Sequence, residues 1–275
     1  MTTTKKVFMY LGIAFAIIIV IGSITAIIGA FGVFGRIITG DFKNESAVSE
    51  NTNTYALESE INLLECEINA ADFVIKQGDS FYVESNLKRL VVEEKDGILR
   101  IKDKKQSNAD YTNACLTLHI PVDASFDRVN ITTGAGRLTV DCLNTDRLRL
   151  ELGAGEVNIT NLVSKNSAEI YGGAGQITIS GGALNNLDME MGAGQLNLSS
   201  ALTGECEFDF GVGETNISVI GEKESYSLDI EKGIGTITVD GKSISGFEVD
   251  SGDDSETGNS IEINGGIGSI NLKFE

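Results

Sequence analysis

At 275 residues, 41% hydrophobic and 22% charged, the chain is too apolar to be disordered and long enough for one ordinary domain plus further segments. Its formal charge of −19 excludes nucleic acid as a partner, because a phosphate backbone would be repelled. One histidine, one proline, four cysteines and no tryptophan leave little material for a disulfide framework or for histidine-based catalysis.

Val7 to Phe34 is an uncharged apolar run of 28 residues, long enough to cross a bilayer as a helix. A cleaved signal peptide is the alternative, with small residues at Ala26, Gly29 and Ala30, but its apolar core is normally about half as long. Lys5 and Lys6 precede the run, whereas Arg36 and Lys43 follow it beside Asp41 and Glu45, so the positive-inside bias keeps the amino terminus in the cytoplasm. Residues 1–38 therefore read as a cytoplasmic stub and one transmembrane helix, with everything beyond outside the membrane. The first 40 residues hold three of the 21 Lys and Arg and none of the 40 Asp and Glu, leaving 18 against 40, a net charge of −22. Such a surface repels anionic lipid and suits cations or basic partners.

Residues 39–56, rich in Asn, Ser, Thr and Glu, lack periodicity and read as a flexible stalk. Residues 57–126 read as irregular rungs and a cap. Leu64, Cys66 and Ile68 alternate along one strand face, and Asp96-Gly97 between Leu90–Glu94 and Ile98–Lys102 is a short-hairpin signal. Cys115 to Ile120 forms another strand, leading through Pro121 to Val129–Thr133.

Residues 127–275 repeat themselves. Gly134-Ala135-Gly136-Arg137-Leu138-Thr139-Val140 returns at Gly153, Gly173, Gly192, Gly211, Gly233 and Gly266, at intervals of 19, 20, 19, 19, 22 and 33 residues. After each Gly-x-Gly, alternation such as Leu138 and Val140 against Arg137 and Thr139 defines a strand, A. Before it, runs such as Leu148, Leu150, Leu152 define another, B. Facing flips at the glycines, which marks a corner, and the middle residue (Ala135, Ala154, Ala174, Ala193, Val212, Ile234, Ile267) keeps the inward parity of B. Because like residues fall at like slots, the predicted fold is all-β, a parallel β-solenoid with two-sheet rungs of about 19–20 residues stacked about 4.8 Å apart. The final strand, ending in Leu272 and Phe274, is placed to shield the last rung. By parity Cys66, Cys142 and Cys206 point inward and Cys115 outward. Buried free thiols are then the main reading, and a Cys66 to Cys115 bridge the alternative.

The Thr or Asn slot of strand A (Thr139, Asn158, Thr178, Asn197, Asn216, Thr238, Asn271) suits a stacked amide ladder. On sheet B the outward slot holds Glu169, Asp188, Glu207, Asp229 and Glu262, and the next holds Glu151, Glu190, Asp209 and Glu231. Carboxylates one rung apart repel by about 1 kcal/mol even in bulk water, and they can share a hard cation, so these five are the candidate metal ligands, with Ca2+ as the ion. The alternatives are an acidic solubilising face or a docking face for a basic partner. The loop Asp250 to Glu256 is a second acidic candidate. Catalysis finds little footing: His119 reads as a surface strand residue, there is no Gly-x-Ser-x-Gly elbow, and the Gly-x-Gly motifs precede strands where a nucleotide fingerprint needs a helix. No cofactor is predicted.

Residues 57–275 resemble the bacterial putative-adhesin family of β-strand-repeat domains of unknown function. The resemblance rests on Asp96-Gly97-Ile98-Leu99-Arg100-Ile101, on Leu116-Thr117-Leu118-His119-Ile120-Pro121 and on the repeated Gly-Ala-Gly-x-apolar-Thr/Asn-apolar units. It implies a solenoid on a bacterial envelope, single-pass at the cell membrane, and offers no catalytic residues. The expected role is a non-enzymatic adhesion, binding or envelope scaffold module, with cell-wall glycan or an envelope protein as partner. A carbohydrate-active enzyme using the acidic face and a regulatory partner of an envelope-stress sensor are the alternatives.

Overall fold

The computed structural model describes residues 46–57, 60–104, 109–231, 233–244 and 258–275, together with the backbone of 248–250. The apolar run Val7–Phe34 lies outside the described residues, as do residues 251–256 of the acidic loop. Among the described residues no helix is long and apolar enough to cross a membrane.

The described chain is all-β, and its strands stack in parallel as a solenoid. The central strands are β7 (Phe126–Ile179), β8 (Gly182–Asn185), β9 (Leu187–Thr203) and β10 (Glu205–Val219). β7 is long because it runs unbroken through the Gly134, Gly153 and Gly173 corners. Register is set by alternation: a one-residue slip would turn every apolar side chain to water. It therefore holds across rungs, with Ile170 beside Met189 beside Phe208 in sheet B and Ile179 beside Leu198 beside Ile217 in sheet A, all buried. Full burial of each such side chain stabilises by about 1.5–3 kcal/mol.

Both corner glycines are required, for different reasons. The second has positive φ in every repeat, from +112° at Gly136 to +151° at Gly213, a region that side chains disfavour. The first does not, but a Cβ there would overlap a backbone carbonyl of the neighbouring rung, Gly134 in the case of Gly153. The middle residue departs from its predicted facing. Ala135 and Ala154 are exposed, Val212 is 38% exposed, Ile267 51% and Ile234 73%. Parity reverses at the first glycine as well as at the second, so the residue between them points out over the corner.

The rung is also richer than two sheets. Between strand A of one repeat and strand B of the next lies a third short strand, seen alone as β8. Its Ala183 and Leu184 pair with Val163 and Ser164 on one side and Ala201 and Leu202 on the other. Small polar residues tuck inward here: Thr145 and Ser164 are buried and donate to the carbonyls of Arg147 (3.0 Å) and Ser167 (2.6 Å). Polar content hid this strand from periodicity.

Chain order and stacking order part at both ends. At the start lie β1 (Val48–Ala56), β2 (Leu63–Gly78), β3 (Tyr82–Leu87), β4 (Leu90–Lys95), β5 (Ile98–Asp103) and β6 (Cys115–Pro121). β2 pairs with β7 on one side and with β5 and β6 on the other, so it is sandwiched between segments that follow it. Over residues 48–56 β1 corrects the stalk reading, Tyr55 and its neighbours pairing antiparallel with β3, while residues 39–45 lie outside the described residues. A strand at a sheet end shows no alternation when its middle is exposed: only Val48 and Tyr55 of β1 pack against the core, and the polar residues between them face water. The Asp96-Gly97 turn closes β4 onto β5 as predicted, with φ of 52° and 75°.

At the other end follow β11 (Tyr226–Glu231), β12 (Ile234–Val239), β13 (Lys242–Ser243), β14 (Glu248–Asp250), β15 (Asn259–Asn264) and β16 (Ile267–Phe274). β15 and β16 do not shield the Gly233 rung from outside. They insert between β10 and the pair β11, β12, in parallel register on both sides. The outermost rung is instead flanked by antiparallel β14 and β13, as β4 and β3 flank β5 and β6 at the start. Antiparallel covers interrupt the parallel template that an open rung offers to another chain.

Candidate functional site

The outward columns of sheet B form the most distinctive surface. The five predicted acids stand side by side, in the order Glu169, Asp188, Glu207, Glu262, Asp229, because the inserted β15 places Glu262 ahead of Asp229. In the next column Tyr171, Glu190 and Asp209 are neighbours, and Asn264 separates Asp209 from Glu231, which breaks the predicted row.

One end of the acidic column is neutralised. Arg149 pairs with Glu169 and with Glu151 (2.7 Å), and its guanidinium lies 4.9 Å from the centre of the Tyr171 ring. Tyr171 in turn donates to Asp188 Oδ2 at 2.9 Å, and burial beside Asp188 pushes its phenol up to about 12. The Arg149–Tyr171–Asp188 network lies beyond the sequence expectations; Tyr171 standing in the slot of Glu151 and Glu190 is its signal in the sequence. Beyond it, no ion pair among the described residues involves Glu190, Glu207, Asp209, Asp229 or Glu262. Glu207 is raised above the usual carboxylate range, first by partial burial and then by Asp209, Glu262, Asp188 and Glu190. Glu190 is raised by partial burial, Asp188 and Asp209. Asn186, Asp188, Glu205, Glu207, Ser260 and Glu262 line an open hollow on this face.

The column does not converge. Among the described residues no three His, Cys, Asp or Glu side chains gather about a point that could hold a metal ion. Calcium takes six or more oxygens from several directions, whereas carboxylates on a flat sheet stand in line and splay.

The raised acids favour the protonated form in the folded state. Their stabilising contribution is fully present below the ordinary carboxylate range and is lost as pH rises through their elevated folded values. Asp110 and Glu156, both held low by hydrogen bonds, act oppositely, and their contribution is lost only below the ordinary range. Thermal melts are therefore expected to show a higher melting temperature at pH 5 than at pH 8, with added NaCl narrowing the gap by screening. A melting temperature unmoved by millimolar Ca2+ at fixed ionic strength would remove calcium as a ligand of this column.

Sheet A carries the amide ladder in part: Asn216 Nδ2 donates to Asn197 Oδ1 at 3.1 Å, and Thr238 Oγ1 to Asn271 Oδ1 at 2.8 Å. Between the two sheets the glycine corner bears the apolar ridge Val212, Ile267, Ile234, with a shallow groove beside it. Growth of the middle residue from Ala to Val to Ile was its sequence signal. His119 corrects its surface reading: it is 5% exposed, stacked on Tyr82 at 3.7 Å, with Nε2 3.0 Å from Glu84 Oε2. All four cysteines are free. Cys66 lies beside Ile101 and Ile131 in the core, whereas Cys115 pairs with Asp72 on the other sheet, so the alternative bridge does not form.

Residues 118–273 match the protein-family model described as Toastrack DUF4097. No curated protein matches the chain. Among solved structures it is similar to a "putative adhesin" from Bacteroides fragilis, at 14% identity over 82% of this chain and 98% of that one, with a TM-score of 0.47. A "putative cell adhesion protein" from Clostridium sporogenes aligns at 14% identity over 82% and 99%, with a TM-score of 0.39. A "putative adhesin" from Parabacteroides distasonis aligns at 13% over 84% and 99%, with a TM-score of 0.40.

Proposed function

The chain belongs to the Toastrack DUF4097 family, and from that premise we propose that it is a non-catalytic adhesion, binding or scaffold module held outside a bacterial cell membrane by a single N-terminal helix. The observation that carries this reading is the unbroken stack. Outward side chains recur along one direction at about 4.8 Å, giving an extended, regular face suited to an extended ligand or partner. The only histidine is buried against Glu84 and Tyr82, which supports a structural role for it. The membrane reading rests on the uncharged run Val7–Phe34 behind Lys5 and Lys6, which orients the solenoid away from the cytoplasm. A net charge of −22 beyond residue 40 favours cell-wall glycan or a basic envelope protein over anionic lipid as the partner.

Fractionation tests the anchoring. The full chain is expected in the membrane pellet, with the solenoid digested by protease added to intact cells, and residues 39–275 alone are expected in the soluble fraction. Recovery of the full chain as soluble protein overturns the anchoring. Glycan and peptidoglycan arrays, read with and without Ca2+ and beside a hydrolysis assay, test the role. Retention without turnover supports a binding module, and release of sugar fragments assigns the acidic face to an enzyme instead.

A further inference from the structure

The last rung in sequence, β15 and β16, is neither the last in the stack nor a simple filler. It alone makes the acidic column continuous. Glu207 on β10 and Asp229 on β11 have no pairing with each other; Glu262 stands between them and meets both. Every charged group facing Glu262 from the packed strands is an acid: Glu207 with Glu205 and Asp209 on β10, and Asp229 with Glu231 on β11. On its own strand it has only Ser260 and Asn264 as outward neighbours. No ion pair among the described residues compensates it, whereas at the opposite end of the sheet Arg100 and Lys102 meet Glu65 and Glu67 across the ladder.

The same rung is held by backbone. Ser260 N donates to Gly204 O at 3.0 Å, Gly265 N to Glu231 O at 2.9 Å, and Gly221 N to Glu275 O at 2.8 Å. Ile261, Ile263, Ile270 and Leu272 are buried between equivalent residues on both sides. Two opposed effects thus meet in one segment: a ladder and core that clamp it, and a row of like charges that its insertion assembles.

We propose that β15 and β16 form a charge-governed strap, whose hold in the slot between β10 and the β11–β12 rung strengthens when the acidic column is protonated, screened or bridged by cations. Loosening opens two parallel edges that are otherwise paired. The device goes beyond the binding role above and does not depend on it. The raised position of Glu207 fits it: after partial burial and Asp209, Glu262 is among the acids that lift it.

Amide hydrogen exchange on the full chain tests it, with rates corrected for the intrinsic pH dependence of exchange. At pH 7.5 and low salt, residues 258–275 are expected to exchange faster than the buried parts of β9. They are expected to slow about tenfold in Glu262→Gln, in 0.5 M NaCl or at pH 5, as the repulsion one rung apart is relieved. Asp141→Asn, which removes one exposed charge from β7, a strand that does not pair with β15 or β16, controls for net charge and is expected to leave the segment unchanged. The proposal is overturned if residues 258–275 are as protected as β9 and unmoved by salt, pH and Glu262→Gln, or if Asp141→Asn slows them equally.

Discussion

Deleting residues 258–275 is expected to unfold far more than the segment removed. In a solenoid stacked in chain order, loss of the final rung exposes one edge and leaves the remainder intact. Here β11 and β12 meet the rest of the stack through β15 and β16. Deletion removes the burial of Ile261, Ile263, Ile270 and Leu272, about 10 kcal/mol of apolar stabilisation, comparable with the whole stability of an ordinary domain. It also strips their partners Leu228, Ile230, Ile237 and Val239 of a neighbouring layer. Limited proteolysis is expected to cut rapidly after Val219 and throughout residues 226–239, with β2 to β9 resisting longer. If β11 and β12 instead kept their protection, docked directly on β10 in sequence order, the inserted arrangement would be dispensable.

Gly194→Ala is expected to be the most damaging single change of its size. Gly194 has a φ of +138°, and an added Cβ would run into the carbonyl oxygen of Gly175 in the next rung. Backbone strain and steric overlap act together, in the middle of the stack where neighbouring rungs cannot move apart without losing ladder hydrogen bonds. A cost of about 3–4 kcal/mol follows, which lowers the melting temperature by roughly 10 °C in a chain of this size. Gly241→Ala separates the two causes. Its φ is +72° but nothing lies within 4 Å of the added atom, so about 1 kcal/mol is expected there. Equal losses in the two variants would mean that close stacking contributes nothing to the demand for glycine.

Much of this fold was legible because a repeat writes its own register. The spacing of the Gly-x-Gly corners, the alternation of Leu148, Leu150 and Leu152, and the Asp96-Gly97 turn each translate into a local rule that the structure obeys. What escaped has a common physical origin: it depends on which copy stands beside which. Seven near-equivalent units fit against one another in several orders, so nothing local distinguishes β10 beside β11 from β10 beside β15. The third strand escaped because its inward Thr145 and Ser164 are satisfied by nearby carbonyls and imitate a polar turn. The acidic column was foreseen residue by residue, yet its order and the break at Asn264 follow from insertion alone.

The sandwiching of β2 bears on how the protein meets tension. In a coil wound strictly in sequence, a pull on the leading end peels one turn at a time, and each turn yields after rupture of a single ladder. Here a pull from the N-terminal side first reaches β1, joined to β3, and then β2, which is laced to β7 along one flank and to β5 and β6 along the other. Both flanks must tear before any later coil feels the load, so resistance to stretching is concentrated where force would first arrive.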